Sequence, residues 1–245
     1  MLSRMHGGAR RWMWRAAALS GVVGCASWVF AEAVGSPASL LKKGQWAMAL
    51  GGGAISGRGL SPGGEATAYQ LGHFRGYGLT DWLSVYGKLG GAYLEINDAS
   101  VKHPDGAIHS FGAGLLLGVQ LKARIWRHVK TGWEWDGSVQ VVDMRFRHRT
   151  SHDGHWREWV LASSVAKDMG RFKPYFGLKY SMIDMDAKIR RNGQPFLQRN
   201  YTDDAAVGPF FGTDVYFGPA EDVIMNVETA YVDGPELNLA IKYLF

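Results

Sequence analysis

The last ten residues of the chain, Glu236–Phe245, alternate between two kinds of side chain. Leu237, Leu239, Ile241, Tyr243 and Phe245 are apolar or aromatic, and the residues between them are small or polar. A period of two places these two sets on opposite faces of a β-strand. The apolar face would point at the core of a soluble sandwich, or at lipid around a barrel whose polar face lines the interior. The rest of the chain has to distinguish these two folds.

The same alternation recurs from Gln45 onward and predicts about ten strands. Within the fourth strand, Phe111 alternates in phase with Leu115 and Leu121, so we expect all three on one face. Short turns are expected near residues 79, 127, 170 and 220, and the longer loops at 57–64, 97–106, 147–155 and 190–203, with a short turn near 234 on the same side. An even number of strands with short turns at one end is typical of bacterial membrane barrels. We therefore predict an all-β fold, a single closed antiparallel transmembrane barrel of about ten strands, with eight and twelve as alternatives.

The distribution of charge between the two faces favours the membrane barrel over a soluble sandwich or lipocalin-like barrel, whose interior should be apolar. The predicted interior face carries Lys88, Lys122, Glu134, Asp136, Lys179, Asp214, Glu228 and Lys242. Charges held away from bulk water must be paired or hydrated. The equal number of lysines and acids favours a structural network of ion pairs. The alternative is a narrow conduit whose selectivity these charges set.

The N-terminal segment predicts export. Arginines crowd its first residues, Ala16–Phe30 is apolar, and Ala31-Glu32-Ala33 fits a small-residue cleavage site. We expect a signal peptide over residues 1–33 and the barrel over residues 34–245. The alternative is cleavage at Cys25, the only cysteine, which would then be lipidated. Residues 1–33 carry +3 of the net charge of +5, so the remainder implies no nucleic acid partner.

A loop rich in arginine and histidine follows the fifth predicted strand. Its guanidinium groups, at Arg145, Arg147, Arg149 and Arg157, could contact the phosphates of lipopolysaccharide, which arginine holds in bidentate fashion. Its other ligating groups, at His148, His152, Asp153 and His155, could hold a divalent metal, although their spacing is not diagnostic. A solvated basic loop remains the plainest interpretation. We therefore predict no metal site and no cofactor.

Three short segments and the export signal resemble those of small Gram-negative outer-membrane barrels of the OmpA/opacity-protein type. The segments are Tyr77–Trp82 before one strand, Lys173–Gly177 opening another, and Ile241–Phe245 at the end. The resemblance implies a monomer in the outer membrane, in contact with lipid and lipopolysaccharide. It also implies delivery by the barrel-assembly machinery, with Ile241, Tyr243 and Phe245 as the assembly signal. It implies no specific activity, and a structural, surface-binding or weakly pore-forming role is expected.

Two other functions stay open at this stage. One is a narrow porin-like channel for small solutes. The other is an outer-membrane enzyme, because omptin proteases are ten-stranded barrels with paired aspartates and an Asp-His pair. Here Asp184 and Asp186 form an Asp-x-Asp, and His152-Asp153 lies on a neighbouring loop. The His-x-Ser pattern of a barrel deacylase is missing, since His109 and Ser110 are adjacent and would face opposite sides of a strand. We expect no enzyme.

Overall fold

The computed structural model describes residues 40–98, 108–147, 152–191, 194–203 and 206–245. The strands are β1 (Trp46–Leu60), β2 (Gly64–Gly78), β3 (Leu83–Asn97), β4 (Ile108–His128), β5 (Trp133–Phe146), β6 (Asp153–Lys167), β7 (Phe172–Arg191), β8 (Gln194–Thr202), β9 (Ala206–Phe217), β10 (Val223–Tyr231) and β11 (Pro235–Leu244). No helix among these residues is long and apolar enough to cross a membrane. The predicted signal peptide, residues 1–33, lies outside the described residues.

The strands close into one antiparallel barrel, as predicted. Each strand pairs with the next in sequence from β1 to β7, and β11 returns to pair with β1. Strands β8 and β9 together fill one strand position of the barrel wall, which we call a stave. Strand β8 pairs with the C-terminal half of β7 (Asp184–Arg191), and β9 pairs with its N-terminal half (Phe172–Ser181). The barrel therefore has ten staves. At the seam, Trp46 and Phe245 exchange two backbone hydrogen bonds of 3.0 Å, which close the sheet at the chain termini.

The two ends of the barrel differ in height. At the end holding the termini, the strands join through short turns. At the opposite end, β1 and β2 form a hairpin that turns at residues 61–63, and Arg191 at the end of β7 pairs with Gln194 at the start of β8. The predictions of loops at 57–64 and 190–203 are therefore wrong over most of their length, because strands occupy residues 57–60, 190–191 and 194–202. By contrast, the hairpin of β10 and β11 turns at residues 232–234 and ends lower.

A belt of large apolar side chains surrounds the barrel. They include Leu50, Leu71, Leu89, Leu117, Val139, Leu161, Leu178, Phe211, Met225 and Leu237, all at least 37% exposed. Aromatic residues border the belt towards the termini, among them Trp46, Trp82, Trp133, Phe172 and Phe245, and towards the opposite end at Tyr69, Tyr93, Trp159 and Tyr231. A continuous apolar surface of this size is unfavourable in water. It is stable in lipid, because the closed sheet satisfies all of its own backbone hydrogen-bonding groups.

Above the upper aromatic residues, the outward-facing side chains become polar and the inward-facing side chains become apolar. On β7, Tyr180 and Met182 point outward into the belt, but Asp184 and Asp186 point outward immediately above them. The residues between them, including Ile183 and Met185, are buried inside. Strands β3, β5 and β6 show the same exchange. We call this level the inversion line, because the barrel is inside-out below it and has a soluble protein's apolar interior above it.

The interior above the inversion line is filled by an apolar plug. Its largest members are Leu94, Ile96, Phe111, Phe146, Trp156, Met185 and Tyr201, each at most 1% exposed. The expectation that Phe111 shares a face with Leu115 is wrong. The register passes from Leu94↔Gly112 to Glu95↔Ser110, which leaves Phe111 as the extra residue of a bulge. Gly112 has φ +68° there, a conformation that glycine adopts without strain, and the bulge turns Phe111 inward.

Candidate functional site in the barrel interior

All eight charged residues predicted for the interior are buried. Their exposures run from 0% for Glu134 and Asp214 to 8% for Lys88. Together with charged residues that sequence reasoning did not assign there, they form two layers beneath the apolar plug. The lower layer lies towards the chain termini, and the middle layer lies between it and the plug.

The lower layer centres on Glu134 of β5. Its carboxylate lies 2.5 Å from Lys173 Nζ and 2.9 Å from Arg127 Nε, and Arg124 Nη2 approaches to 3.4 Å. Asp136, two residues along the same face, lies 3.6 Å from Arg124 Nε. The arginines come from the neighbouring strand β4, and Lys173 comes from β7, which lies beyond β6. Five charged groups therefore compensate one another, and of these only Arg127 has a largely exposed side chain.

A hydrogen-bonded chain completes the other side of the lower layer. Tyr175 donates its hydroxyl proton to Glu228 at 3.1 Å, and Asn226 Nδ2 donates to Asp214 at 2.5 Å and to the Tyr175 oxygen at 3.0 Å. The ammonium groups of Lys122 and Lys242 lie over the ring of Tyr86, 5.7 and 5.4 Å from its centre. Such cation–π contacts stabilise ammonium groups that have lost water.

The middle layer centres on Arg58 of β1, whose side chain is fully buried. It donates from Nε and Nη2 to Asp203 Oδ2, at 2.9 and 2.5 Å. Its Nη1 lies 3.4 Å from Glu158 and 3.6 Å from Glu236. Alternation gave no signal for Arg58, because it is out of phase with the interior residues Ala47, Ala49 and Ile55. It turns inward after Gly57, which has φ +63°, within the segment 57–64 that was predicted to be a loop.

Other side chains complete the middle layer. Lys179 pairs with Glu236, Ser181 donates to Glu158 at 2.6 Å, and Lys88 donates to Gln70 at 3.1 Å. Cations and anions balance in the described part of each layer when the partly buried Arg124 is included. The lower layer has Lys122, Lys173, Lys242 and Arg124 against Glu134, Asp136, Asp214 and Glu228, and the middle layer has Arg58, Lys88 and Lys179 against Glu158, Asp203 and Glu236. Neither layer presents a surplus of one sign, which a selective ring would need.

Two contacts join opposite sides of the barrel. Strands β1 and β6 stand five staves apart in either direction, yet Arg58 and Glu158 meet at 3.4 Å. Strands β3 and β8 are also opposite, and Tyr201 of β8 donates to Asp98, the residue after β3, at 2.8 Å. Burial and this hydrogen bond to a carboxylate raise the pKa of Tyr201, so its hydroxyl stays a donor. These contacts draw the opposite walls together.

The predicted arginine cluster lies on the outside, above the inversion line. Asp143 of β5 accepts from Arg145 at 3.0 Å and contacts His155 at 2.6 Å, and Arg157 lies 3.6 Å away. Burial acts to raise the pKa of Asp143, but the hydrogen bonds from His155 and Arg145 outweigh it and lower this pKa. Arg147 is exposed, and Arg149 lies outside the described residues. Arg145 and Arg157 thus point outward, but they share one carboxylate.

The residues considered for catalysis or metal binding are dispersed. Asp184 and Asp186 point outward from β7, whereas His152 is buried against His109 and Phe111, with ring centres 5.3 and 5.6 Å apart. The predicted Asp-x-Asp and His152 therefore lie on opposite faces of the wall. Among the described residues, no group of three or more His, Cys, Asp or Glu side chains is arranged to hold a metal ion. His148 lies outside the described residues.

A closed barrel of ten staves, an apolar belt between aromatic borders and a polar, charge-paired interior define a bacterial outer-membrane β-barrel protein. In such proteins the short turns face the periplasm and the hairpin end faces the cell exterior. The terminal residues Ile241, Tyr243 and Phe245 therefore lie at the periplasmic edge, on the outward face of β11.

Comparison with solved structures returns proteins of this class. They include Ail, the attachment invasion locus protein of Yersinia pestis (10% identity, 83% of this chain and 99% of that one, TM-score 0.39). The outer membrane protein OprG of Pseudomonas aeruginosa (13%, 84% and 98%, 0.43) and the outer membrane protease OmpT of Escherichia coli (8%, 82% and 94%, 0.46) are also similar. No protein-family model and no curated protein sequence matches the chain. At these low scores the class follows from the geometry of the barrel itself.

Proposed function

We propose that the protein is a non-conducting outer-membrane barrel that acts through its outer, water-exposed section. The observation that carries this proposal is the contact of Arg58 with Glu158 across the full width of the lumen. Strands about 4.8 Å apart and tilted by about 40° give ten staves a backbone diameter of roughly 20 Å. Two extended side chains that meet at 3.4 Å reach less than that distance, so the lumen is narrower than a circular barrel at this level. The ion pair therefore occupies the path that a solute would take.

The apolar plug above the ion pair supports the same conclusion. Trp156, Phe111 and Tyr201 meet where the lumen would open to the exterior, and each is at most 1% exposed. An ion crossing this section would have to lose water and displace closely packed aromatic and aliphatic side chains, which is costly. The porin-like alternative would require both the plug and the middle layer to rearrange.

The outer section favours a surface-binding role. Above the inversion line the described strands present outward charged side chains, among them Arg145 and Arg157. Their position directly above the lipid belt matches the level of lipopolysaccharide headgroups. We include contact with these headgroups in the proposal, with Arg147 as a third arginine exposed at the same edge.

Conductance in planar bilayers tests the sealed lumen. The refolded protein should insert without current steps. The triple substitution Arg58→Ser, Glu158→Ser and Trp156→Ala should conduct, because it opens both the middle layer and the plug while keeping the charge balance. Arg145→Ser, on the outer surface, is the matched control and should stay silent. Regular current steps from the unsubstituted protein would refute the proposal.

The enzyme alternative has its own test. Purified protein can be incubated with peptide and lipid substrates beside the Asp184→Ala variant. We expect no cleavage above background from either. A cleaving activity that Asp184→Ala abolishes would show that the non-enzymatic assignment is wrong.

A further inference from the structure

The barrel wall has an opening where the hairpin of β10 and β11 ends low. Pairing between β1 and β11 stops at Ile55↔Glu236, but β1 continues upward to Leu60. Above the turn, Ser61 and Thr202 exchange backbone hydrogen bonds of 2.7 and 3.0 Å, so β1 reaches across to β8. This bridge, the turn below it and the two strands frame what we call the lateral window.

A cavity of about 580 Å³ fills the lateral window. Its lining comprises Gly59, Leu60, Ser61, Asp203, Ala206, Val207 and Asp233. The volume lies within the range typical of small-molecule sites. Behind it, Arg58 is fully buried and hydrogen-bonded to Asp203, so the cavity ends at the middle layer and does not enter the lumen. The window is therefore a pocket that opens outward through the barrel wall and does not connect to the lumen.

The lower edge of the window lies at the outer boundary of the lipid belt. Val207 of its lining is 64% exposed, and Tyr231, at the end of β10, is 63% exposed on the outer face. From Tyr243 at the periplasmic edge, β11 rises ~20 Å to Pro235, at about 3.3 Å per residue and a tilt of about 40°. The apolar band of such barrels is about 25 Å tall. An apolar chain leaving the window would thus enter the outer leaflet.

The inner part of the window is acidic. Asp203 and Asp233 line it from opposite sides, and Arg58 is the cation bonded to Asp203. Asp233 accepts a hydrogen bond from the backbone of Gly59 at 3.1 Å. A Cβ at position 59 would lie 2.7 Å from Asp233 Oδ2, so glycine there lets the carboxylate approach the wall. Two carboxylates against one guanidinium leave the window with a net negative charge at the outer boundary of the lipid belt.

We propose that the lateral window binds an amphipathic cation, an ammonium group carrying one apolar chain. The ammonium group pairs with Asp233 and Asp203, and the chain passes over Val207 into the outer leaflet. An anionic headgroup is repelled by the carboxylates, and a neutral one gains only the apolar contact. Binding leaves the lumen sealed, because Arg58 stays in place behind the site.

Alanine methyl NMR of the protein in lipid nanodiscs tests this site, since Ala206 lines the window and Ala113 faces lipid on a distant strand. Octylammonium should shift the Ala206 methyl signal saturably and leave Ala113 unchanged. Octyl sulfate and octyl glucoside, which have the same chain, should bind at least roughly tenfold more weakly, a difference of about 1.4 kcal/mol.

The diagnostic variant is Asp233→Asn. Asp233 has φ +52°, which asparagine also adopts readily, and the amide oxygen still accepts from Gly59. The fold should persist while octylammonium affinity falls roughly tenfold. Asp168→Asn, at a periplasmic turn, is the matched control and should bind normally. Equal responses to all three surfactants, no saturable shift, or unchanged affinity in Asp233→Asn would each overturn the proposal.

Discussion

Arg58 on β1 and Glu158 on β6 belong to opposite staves of the barrel, and their side chains meet at 3.4 Å. The guanidinium of Arg58 also holds Asp203 and lies near Glu236, so one cation serves three buried carboxylates. Arg58 on β1 therefore contacts side chains from three other parts of the wall, which are β6, the residue after β8, and β11.

Replacing Arg58 should destabilise the barrel strongly. Arg58→Ala leaves three buried carboxylates without their shared cation, and breaking a buried pair in this way costs about 3–5 kcal/mol. Urea titration of the folded protein in detergent measures the change. Arg145→Ala removes an exposed arginine and should cost less than about 1 kcal/mol. Similar losses from both substitutions would show that Arg58 does not hold the middle layer together.

The apolar plug predicts different outcomes for two neighbouring tryptophans of β6. Trp156 is fully buried in the plug, whereas Trp159 is 46% exposed towards lipid. Trp156→Ala should cost about 3–5 kcal/mol because it leaves a cavity in a packed core. Trp159→Ala should cost clearly less in the same urea titration. If the two losses were equal, the interior above the inversion line would not be tightly packed.

The inversion line predicts where an outward charge is tolerated on β7. Leu178 points outward within the belt, and Asp186 points outward above the line. Leu178→Arg places a charge in lipid and should cost about 2–4 kcal/mol, while Asp186→Arg should cost about 0–1 kcal/mol. Refolding into bilayers at graded urea compares the two. A larger penalty for Asp186→Arg would move the lipid boundary away from the position assigned here.

Deleting Phe245 tests the seam and the proposed assembly signal together. The deletion removes the two backbone hydrogen bonds with Trp46 and the ring that stacks on Tyr243 at 6.0 Å. We expect less heat-modifiable, protease-resistant barrel in outer-membrane fractions. Phe245→Tyr keeps both the bonds and the aromatic ring and should assemble normally. An unchanged amount of folded barrel after the deletion would argue against the signal.

The barrel and its charged interior could be predicted because alternation records which residues share a face. On β7, Asp184, Asp186 and Lys188 continue the alternation in phase with Leu178, before the loop that was predicted from residue 190. An outward charge looks like a break in a membrane strand unless the strand is allowed to leave the membrane. The sequence therefore contains the signal for the inversion line. It was missed because each strand was assumed to lie in one environment along its whole length.

The contacts of the interior could not be predicted in the same way. Alternation places Glu158 inside, but it would place Arg58 outside, because the phase of β1 changes near Gly57. It also gives neither the stagger of the staves nor the width of the lumen. The inward turn of Phe111 depends on one extra residue in β4, which a regular period cannot show. The lateral window likewise depends on unequal hairpin heights, a property of the pairing between strands far apart in sequence.

The positions of the Arg58 partners along the chain also determine the stage of folding at which the buried charges become paired. Glu158, Asp203 and Glu236 follow Arg58 by 100, 145 and 178 positions in the chain. Until the last strand arrives, an intermediate in the bilayer carries an arginine and carboxylates without their full set of partners. Contacts of such long sequence separation form late. Closure of the seam and neutralisation of the interior should therefore occur as one cooperative step, which disfavours half-inserted barrels.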